Sequence, residues 1–519
     1  MKIFHGLLSL GLFLFVTVSS FADPIHADED LDRIIQEANH KFLNAEFDEG
    51  ISMIKEAAET RPASPAVSYF LTNGYWWKIF RAYIYDKEAK TTEWDDEFDD
   101  YLQQTIDRSE LLLKRNPHDV VGLFYLGNAY SLKSRLKGLR GSYFSAGRDA
   151  GKGKKYLEQV IEAEPTQHDA FYNLGMYNYL AGTLPGYAKV LKTLLFLPGG
   201  DKEKGLTLLK IAGQKSTYFG DESQLLLARF YADFEEQPAD ALRIVQSFRT
   251  RFPGNAWFHY WTGTLLSDEL NDYAQAEQIY TEIISLCDRN AATYSAELKN
   301  QAWLKLARVH GKLLYPEKAI DEIKTLIAAK PKEPTWILAR AHLELGNLYD
   351  QIGMRREATL AYKQVLSMRN YRDFHNQAEK LLEQNYNQKN ADIYRMNLDG
   401  RRLTAEGKFD EAEASLRKVL EKYPNNDQTL YALADMYYKK GSYKESGELL
   451  NTILGRNPKE PKWLIPGVYV RLGMVYEARK QADAARRLYE KALDTDFIAS
   501  DDRNMARRAL KQMAQHKNS

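Results

Sequence analysis

Apolar positions recur along this chain with a helical period, and over its last third the helices come in pairs of fixed length. Gly400, Gly407, Phe409, Ala412, Leu416, Val419 and Pro424 return 34 residues later as Ala434, Gly441, Tyr443, Ser446, Leu450, Ile453 and Pro458. Small residues fall where two helices must cross closely, bulky apolar ones fill the seam, and a proline closes each unit. The same spacing runs upstream through Ala38, Gly50, Ile54 and Ala57, then Ala228 and Ala241, then Leu345-Gly346, Tyr349, Ala358 and Tyr362. The pattern predicts an all-α chain of about eleven helix pairs, each too small to bury its apolar face without a neighbour.

These residues and their spacing resemble the tetratricopeptide repeat family, whose helix–turn–helix units stack into a solenoid. The resemblance implies a right-handed superhelical solenoid of repeat-like pairs, closed by a C-terminal capping helix. On that frame residues 23–287 read as a divergent N-terminal solenoid, 291–384 as a middle pair of repeats, and 391–519 as a C-terminal array with its cap. Two insertions interrupt the first part, at 131–155 and 182–201. Gly127 and Gly153 stand 26 apart, whereas the corresponding Gly400 and Ala412 are 12 apart. Residues 169–212, through Leu184-Pro185-Gly186, Pro198-Gly199-Gly200-Asp201 and Gly205-Leu206, resemble a motif of the tetratricopeptide repeat protein 39 and Iml2-related families. That second resemblance implies helical repeats and brings no catalytic residues.

Residues 1–22 read differently. Lys2 precedes the apolar run Leu7–Val18, and Ser20-Phe21-Ala22 forms a small-x-small cleavage site, the pattern of a secretory signal peptide. Cleavage after Ala22, with no cysteine nearby to carry a lipid, predicts a periplasmic or secreted protein. No later run approaches membrane-spanning length, so no transmembrane span is expected in the mature chain.

Composition narrows the function. Lys+Arg and Asp+Glu both number 71, so net charge gives no reason to expect nucleic acid as a partner. Cys287 is the single cysteine; its apolar flank Ile283-Ile284 marks it as a packing residue, and an internal disulfide is excluded. There is no His-Glu-x-x-His and no cysteine pair for zinc. Gly147–Lys152 lacks the second glycine and the Ser/Thr of a phosphate loop. His310 sits at an inward position as a packed aromatic. The chain therefore reads as no enzyme, without cofactor or metal.

The family resemblance places the concave wall on the first helix of each pair. Carried onto this chain it offers Tyr172, Met176 and Tyr179, then Asn347, then Arg401, Tyr431, Asp435 and Tyr438 as residues facing a protein or peptide partner. Aromatic anchors beside a few polar groups are what a peptide groove uses. A second surface is suggested by charge. The insertion 131–155 carries eight basic residues against Asp149 alone, and Arg135, Lys137, Arg140, Arg148 and Lys152 would form an anion-facing patch. Such a patch would bring peripheral envelope contact, with membrane or an anionic polymer.

Overall fold

The computed structural model describes residues 24–85, 91–183, 199–369, 371–384 and 386–518. The expected signal peptide, and most of the insertion at 182–201, lie outside these. Every regular element among the described residues is helical. Eleven pairs can be followed in chain order. The first six are α1 (Glu29–Leu43) with α2 (Phe47–Thr60), α3 (Pro65–Tyr85) with α4 (Asp95–Arg115), and α5 (Val120–Leu139) with α6 (Tyr143–Ala163); then α7 (Ala170–Thr183) with α8 (Lys202–Lys215), α9 (Gly220–Asp233) with α10 (Pro238–Arg251), and α11 (Ala256–Thr264) with α12 (Tyr273–Asp288). A π-helical turn, Leu265–Leu270, extends α11.

Two pairs follow, α13 (Ala296–Lys312) with α14 (Pro316–Ala328) and α15 (Ile337–Gln351) with α16 (Arg355–Ser367). An unpaired helix, α17 (Arg372–Glu383), comes next. The C-terminal pairs are α18 (Gln388–Ala405) with α19 (Phe409–Lys422), α20 (Asp427–Lys440) with α21 (Tyr443–Arg456), and α22 (Leu464–Ala478) with α23 (Ala482–Leu493). Helix α24 (Ser500–Asn518) ends the chain. The solenoid architecture is as expected; α17 is an addition that the repeat pattern does not contain.

One local device recurs in several pairs. A small residue on the first helix receives a large side chain from the second, sixteen positions later: Gly346 meets Tyr362, Gly400 meets Leu416, and Gly473 meets Tyr489. A Cβ at Gly400 would come within 2.5 Å of Leu416, so a larger residue there would require the Leu416 side chain to shift. In the third pair Gly127 meets Leu157, and Gly153 lies against the Gly127 carbonyl. That partner stands 30 residues on, sixteen plus the 14 inserted. The insertion at 131–155 is therefore absorbed as helix, lengthening α5 and α6 to 20 and 21 residues where α8 has 14. The turn between them is Arg140–Ser142, made possible by Gly141 at φ +76°.

The N-terminal half is wound tightly enough to fill its own axis. In α5 the run Gly122–Ala129 is buried without a break, which requires neighbours on every side of the helix. Those neighbours arrive from far along the chain. Tyr69, Tyr125, Tyr172, Tyr218 and Phe219 share one core, and α1 reaches across it. Asn39 donates to the Tyr218 carbonyl at 3.1 Å, and Asn255 donates to the Leu43 carbonyl at 2.8 Å. Asp169 is a buried node here: its carboxylate accepts from the Tyr218 and Phe219 amides and from the Ser216 hydroxyl, and His26 lies 3.1 Å away.

At the other end, α24 buries Ala506 and Ala509 against Val470, Tyr489 and Ala492 of the last pair, which makes it the expected cap. Its opposite edge faces the middle of the solenoid. Asp501 accepts from the Tyr273 hydroxyl and pairs with Lys312, both at 2.8 Å, and Asn504 donates to the Asp268 carbonyl at 3.0 Å. Farther along the helix, Arg507 approaches Glu236 and Lys511 approaches Glu235, at 3.6 and 3.9 Å.

Candidate functional site

The residues expected to line a concave groove separate into three places. Tyr172 and Tyr179 are buried. The Tyr172 ring stacks on Phe219, and its hydroxyl accepts from Arg135 at 3.1 Å. Tyr179 stacks on Phe230 with ring centres 3.8 Å apart and donates to Glu235 at 2.6 Å. Neither ring offers a face to a partner, because the superhelix closes on itself at this level; Met176, between them in sequence, is half-buried. Asn347 stands elsewhere, accepting from the Tyr362 hydroxyl at 3.1 Å within its own repeat.

Arg401, Tyr431, Asp435 and Tyr438 do come together, around a residue the sequence reading did not single out. Arg471 pairs with Asp435 at 2.7 Å and lies over the Tyr438 ring at 5.3 Å. Burial alone would raise the Asp435 carboxyl, but Arg471, Lys439 and Arg401 hold it below the usual carboxylate range. Asp502 of α24 points into the same place: a Cβ on Gly467 would meet both the Tyr431 hydroxyl, at 3.2 Å, and the Asp502 carboxylate, at 3.4 Å. Burial pushes the Asp502 carboxyl up against the pull of Arg471. This part of the groove thus holds a segment of the chain itself.

The anion-facing patch does not form as one surface. Arg135 points inward, its guanidinium over the rings of Trp76 and Tyr172 at 5.7 and 5.2 Å. Lys137 pairs with Asp149 at 2.6 Å, and Arg140 pairs with Asp95 of α4. The acidic start of α4 and the basic hairpin α5–α6 are neighbours in space, and Asp99 also feels Arg140 and Lys133. Arg140 thus ties together two charge runs that look separate in sequence. Arg148 and Lys152 remain exposed, each over an aromatic ring, Phe144 and Tyr130.

Sequence reasoning missed two features besides Arg471. The first is a buried polar cluster on the N-terminal axis. Glu222 is 7% exposed and accepts from Asn73 at 3.2 Å, while its second oxygen, the Arg135 Nε and the Tyr69 hydroxyl have no hydrogen-bond partner. Burial pushes the Glu222 carboxyl up to about 7, against the opposing influence of Asn73 and Arg135. The second is an open cleft of about 760 Å³ between the α1–α2 turn, the end of α3 and the start of α13. Phe47, Trp94, Lys78 and Arg81 line it, with Glu93 and Glu297 at its rim. A small hollow lined by Trp77, Phe80 and Trp257 continues from it toward α11. The only sequence signal was the aromatic run Tyr75-Trp76-Trp77, whose partners lie some 180 residues away.

His310 is buried as expected, though not simply packed: Glu322 and Glu277 flank its two nitrogens at 2.6 and 2.9 Å, and together they raise its pKa against the effect of burial. Among the described residues no group of three or more His, Cys, Asp or Glu is arranged to hold a metal ion, and no helix is long and apolar enough to cross a membrane.

Paired helices locked by a small-residue crossing and stacked in one direction define a helical-repeat solenoid. Family models described as tetratricopeptide repeat match part of it, residues 403–464, and residues 339–371 and 466–497. No curated protein sequence matches the chain. Among solved structures it is similar to a tetratricopeptide repeat protein from Parabacteroides merdae, at 15% identity over 56% of this chain and 98% of that one, with a TM-score of 0.24. It is also similar to the human IFIT1 dimer with PPP-AAAA, at 14% identity over 91% and 94%, TM-score 0.32. A third is the complex of the TPR2AB domain of yeast Sti1 with pHSP90, at 13% identity over 58% and 98%, TM-score 0.22. At these scores none of them bears on the site.

Proposed function

We propose that this chain is a non-enzymatic, exported scaffold that binds a segment of another protein. The repeats support the class, since stacked helix pairs present extended surfaces and little else. The apolar stretch before Ala22 supports export. The observation that carries the reading is the cleft lined by Phe47, Trp94 and Arg81 together with the adjoining hollow of Trp77 and Trp257, because the two combine aromatic rings with a charged rim and remain open where the expected groove is filled. Its volume falls within the range of small-ligand clefts, which is ample for an anchor side chain.

The test is quantitative capture from the source envelope with mature Asp23–Ser519, beside a variant carrying Arg81→Ala and Trp257→Ala. Binding is expected to fall at least about tenfold in the variant, the effect of losing one aromatic anchor and its neighbour. A protein captured equally by both forms would remove the cleft from the interface, and the absence of any stoichiometric partner would refute the scaffold reading.

A further inference from the structure

Helix α24 is held by two unlike sets of contacts. Toward the last repeat its contacts are apolar: Ala506, Ala509, Met505, Leu510 and Met513 pack with Val470, Tyr489 and Ala492. Toward the middle of the solenoid they are hydrogen bonds and ion pairs: Asp501 to Tyr273 and Lys312, Asn504 to the Asp268 carbonyl, and the longer approaches of Arg507 and Lys511 to Glu236 and Glu235. The apolar set is insensitive to salt and holds the helix on its repeat. The polar set includes partly exposed ion pairs, which are individually weak and screened by salt. The Lys312 side chain is 44% exposed and Arg507 is 50% exposed.

The acidic first turn of this helix sits in a slot of complementary chemistry. Lys312 takes Asp501, and Arg471, with Tyr431 beside it, faces Asp502. Burial would raise the Asp501 carboxyl, yet Lys312 and Tyr273 hold it low, so the slot favours a charged acid there. The residues that form the slot, Tyr431 and Arg471 with Asp435, Tyr438 and Arg401 around them, are the surface the C-terminal repeats would otherwise turn to a partner.

We propose that this slot is a recognition site for an acid-led protein segment, and that α24 is its resident occupant, a strap that a partner of the same chemistry displaces. The inference rests on the scaffold reading and adds to it a second site, the class of segment that site takes, and its regulation. Displacement frees the slot while the apolar face keeps α24 tethered to the last repeat, so rebinding of the strap follows departure of the partner.

The experiment uses the full mature chain and hydrogen exchange at the α24 first turn. The probe is a synthetic peptide of residues 499–514, compared with the same peptide carrying both aspartates as asparagine. In Lys312→Met, protection of residues 499–504 and 266–274 is expected to fall about threefold to fivefold with helix content unchanged, the loss of a partly exposed ion pair. In the wild type, the peptide is expected to lower protection of the chain's own first turn in a saturable manner, and the asparagine peptide to have no effect. Protection unchanged in Lys312→Met overturns the strap. A strap that opens in Lys312→Met but is never displaced by the acidic peptide overturns the recognition site. Both arms are read without a natural partner, so a displaceable strap found alongside failed capture would refute the scaffold reading alone.

Discussion

Glu222→Gln is expected to reverse sign with pH. The carboxyl is buried, receives one hydrogen bond from Asn73, and titrates near 7 in the folded chain against an ordinary 4.5. Below pH 4.5 the group is protonated whether the chain is folded or not, and contributes no pH dependence. Between pH 4.5 and 7 the unfolded chain ionises while the folded chain stays protonated, so stability present in acid is lost across that window and levels off above 7. At about 1.4 kcal/mol per tenfold change in proton affinity, the full loss is about 3 kcal/mol. Glutamine keeps the size and the acceptor for Asn73 but cannot ionise. At pH 4.5 the variant should be weaker than wild type by up to about 1 kcal/mol, for one altered hydrogen bond; at pH 8.5 it should be stronger by about 2 kcal/mol. Denaturant unfolding followed by tryptophan fluorescence suits the purpose, since Trp76 and Trp77 lie beside this cluster. Wild-type and variant stabilities that run parallel from pH 4.5 to 8.5 would refute the burial argument, as would a variant that loses ground as pH rises.

Other consequences can be checked by simpler means. Gly205→Ala would place a Cβ 2.4 Å from the Tyr179 amide and 2.8 Å from the Gly175 carbonyl, backbone atoms that cannot turn aside. It should cost about 3 kcal/mol by forcing α7 and α8 apart. Gly138→Ala, with nothing within 4 Å, should instead raise the melting temperature slightly, gaining about 0.5 kcal/mol of helix propensity. Cys287 is 8% exposed, and burial pushes its thiol up to about 11. A maleimide at pH 7.5 should leave it unlabelled in the native protein and label it completely in denaturant; rapid native labelling would contradict its place in the core.

The repeat architecture was legible because it depends on contacts between residues close in sequence. The pairing of Gly400 with Leu416 is local, and so is its copy at Gly473 and Tyr489. Even the 14-residue insertion kept its register in the glycines at 127 and 153. Its helical state was harder to read, since five glycines and eight cations in one stretch resemble a loop. The groove was not legible for a different reason. The repeat pattern identifies which side of a helix turns inward, but not what stands opposite. Tyr172 meets Phe219, Tyr431 meets the turn of α24, and the basic hairpin meets α4. None of these encounters leaves a periodic trace. The aromatic cleft likewise joins α3 to α11 and α13, and a sequence window cannot hold both sides.

The ties at the two ends set the order in which the chain can be completed. In an ordinary repeat array each unit needs only its neighbour, so folding can begin anywhere and spread. Here α1 finds its partners for Asn39 and Asn44 only when Tyr218 and Gly254 exist. At roughly 5–20 residues per second of synthesis, the first helix made waits on the order of ten to forty seconds for them. During that interval Leu43 lacks the cover of Leu225, Phe248 and Phe252. Asp501 lies 228 residues beyond Tyr273, so the last ring closes only after the final repeat is in place. The middle repeats, α9 to α13, are what both ends close upon, and a defect there would be felt first at the termini.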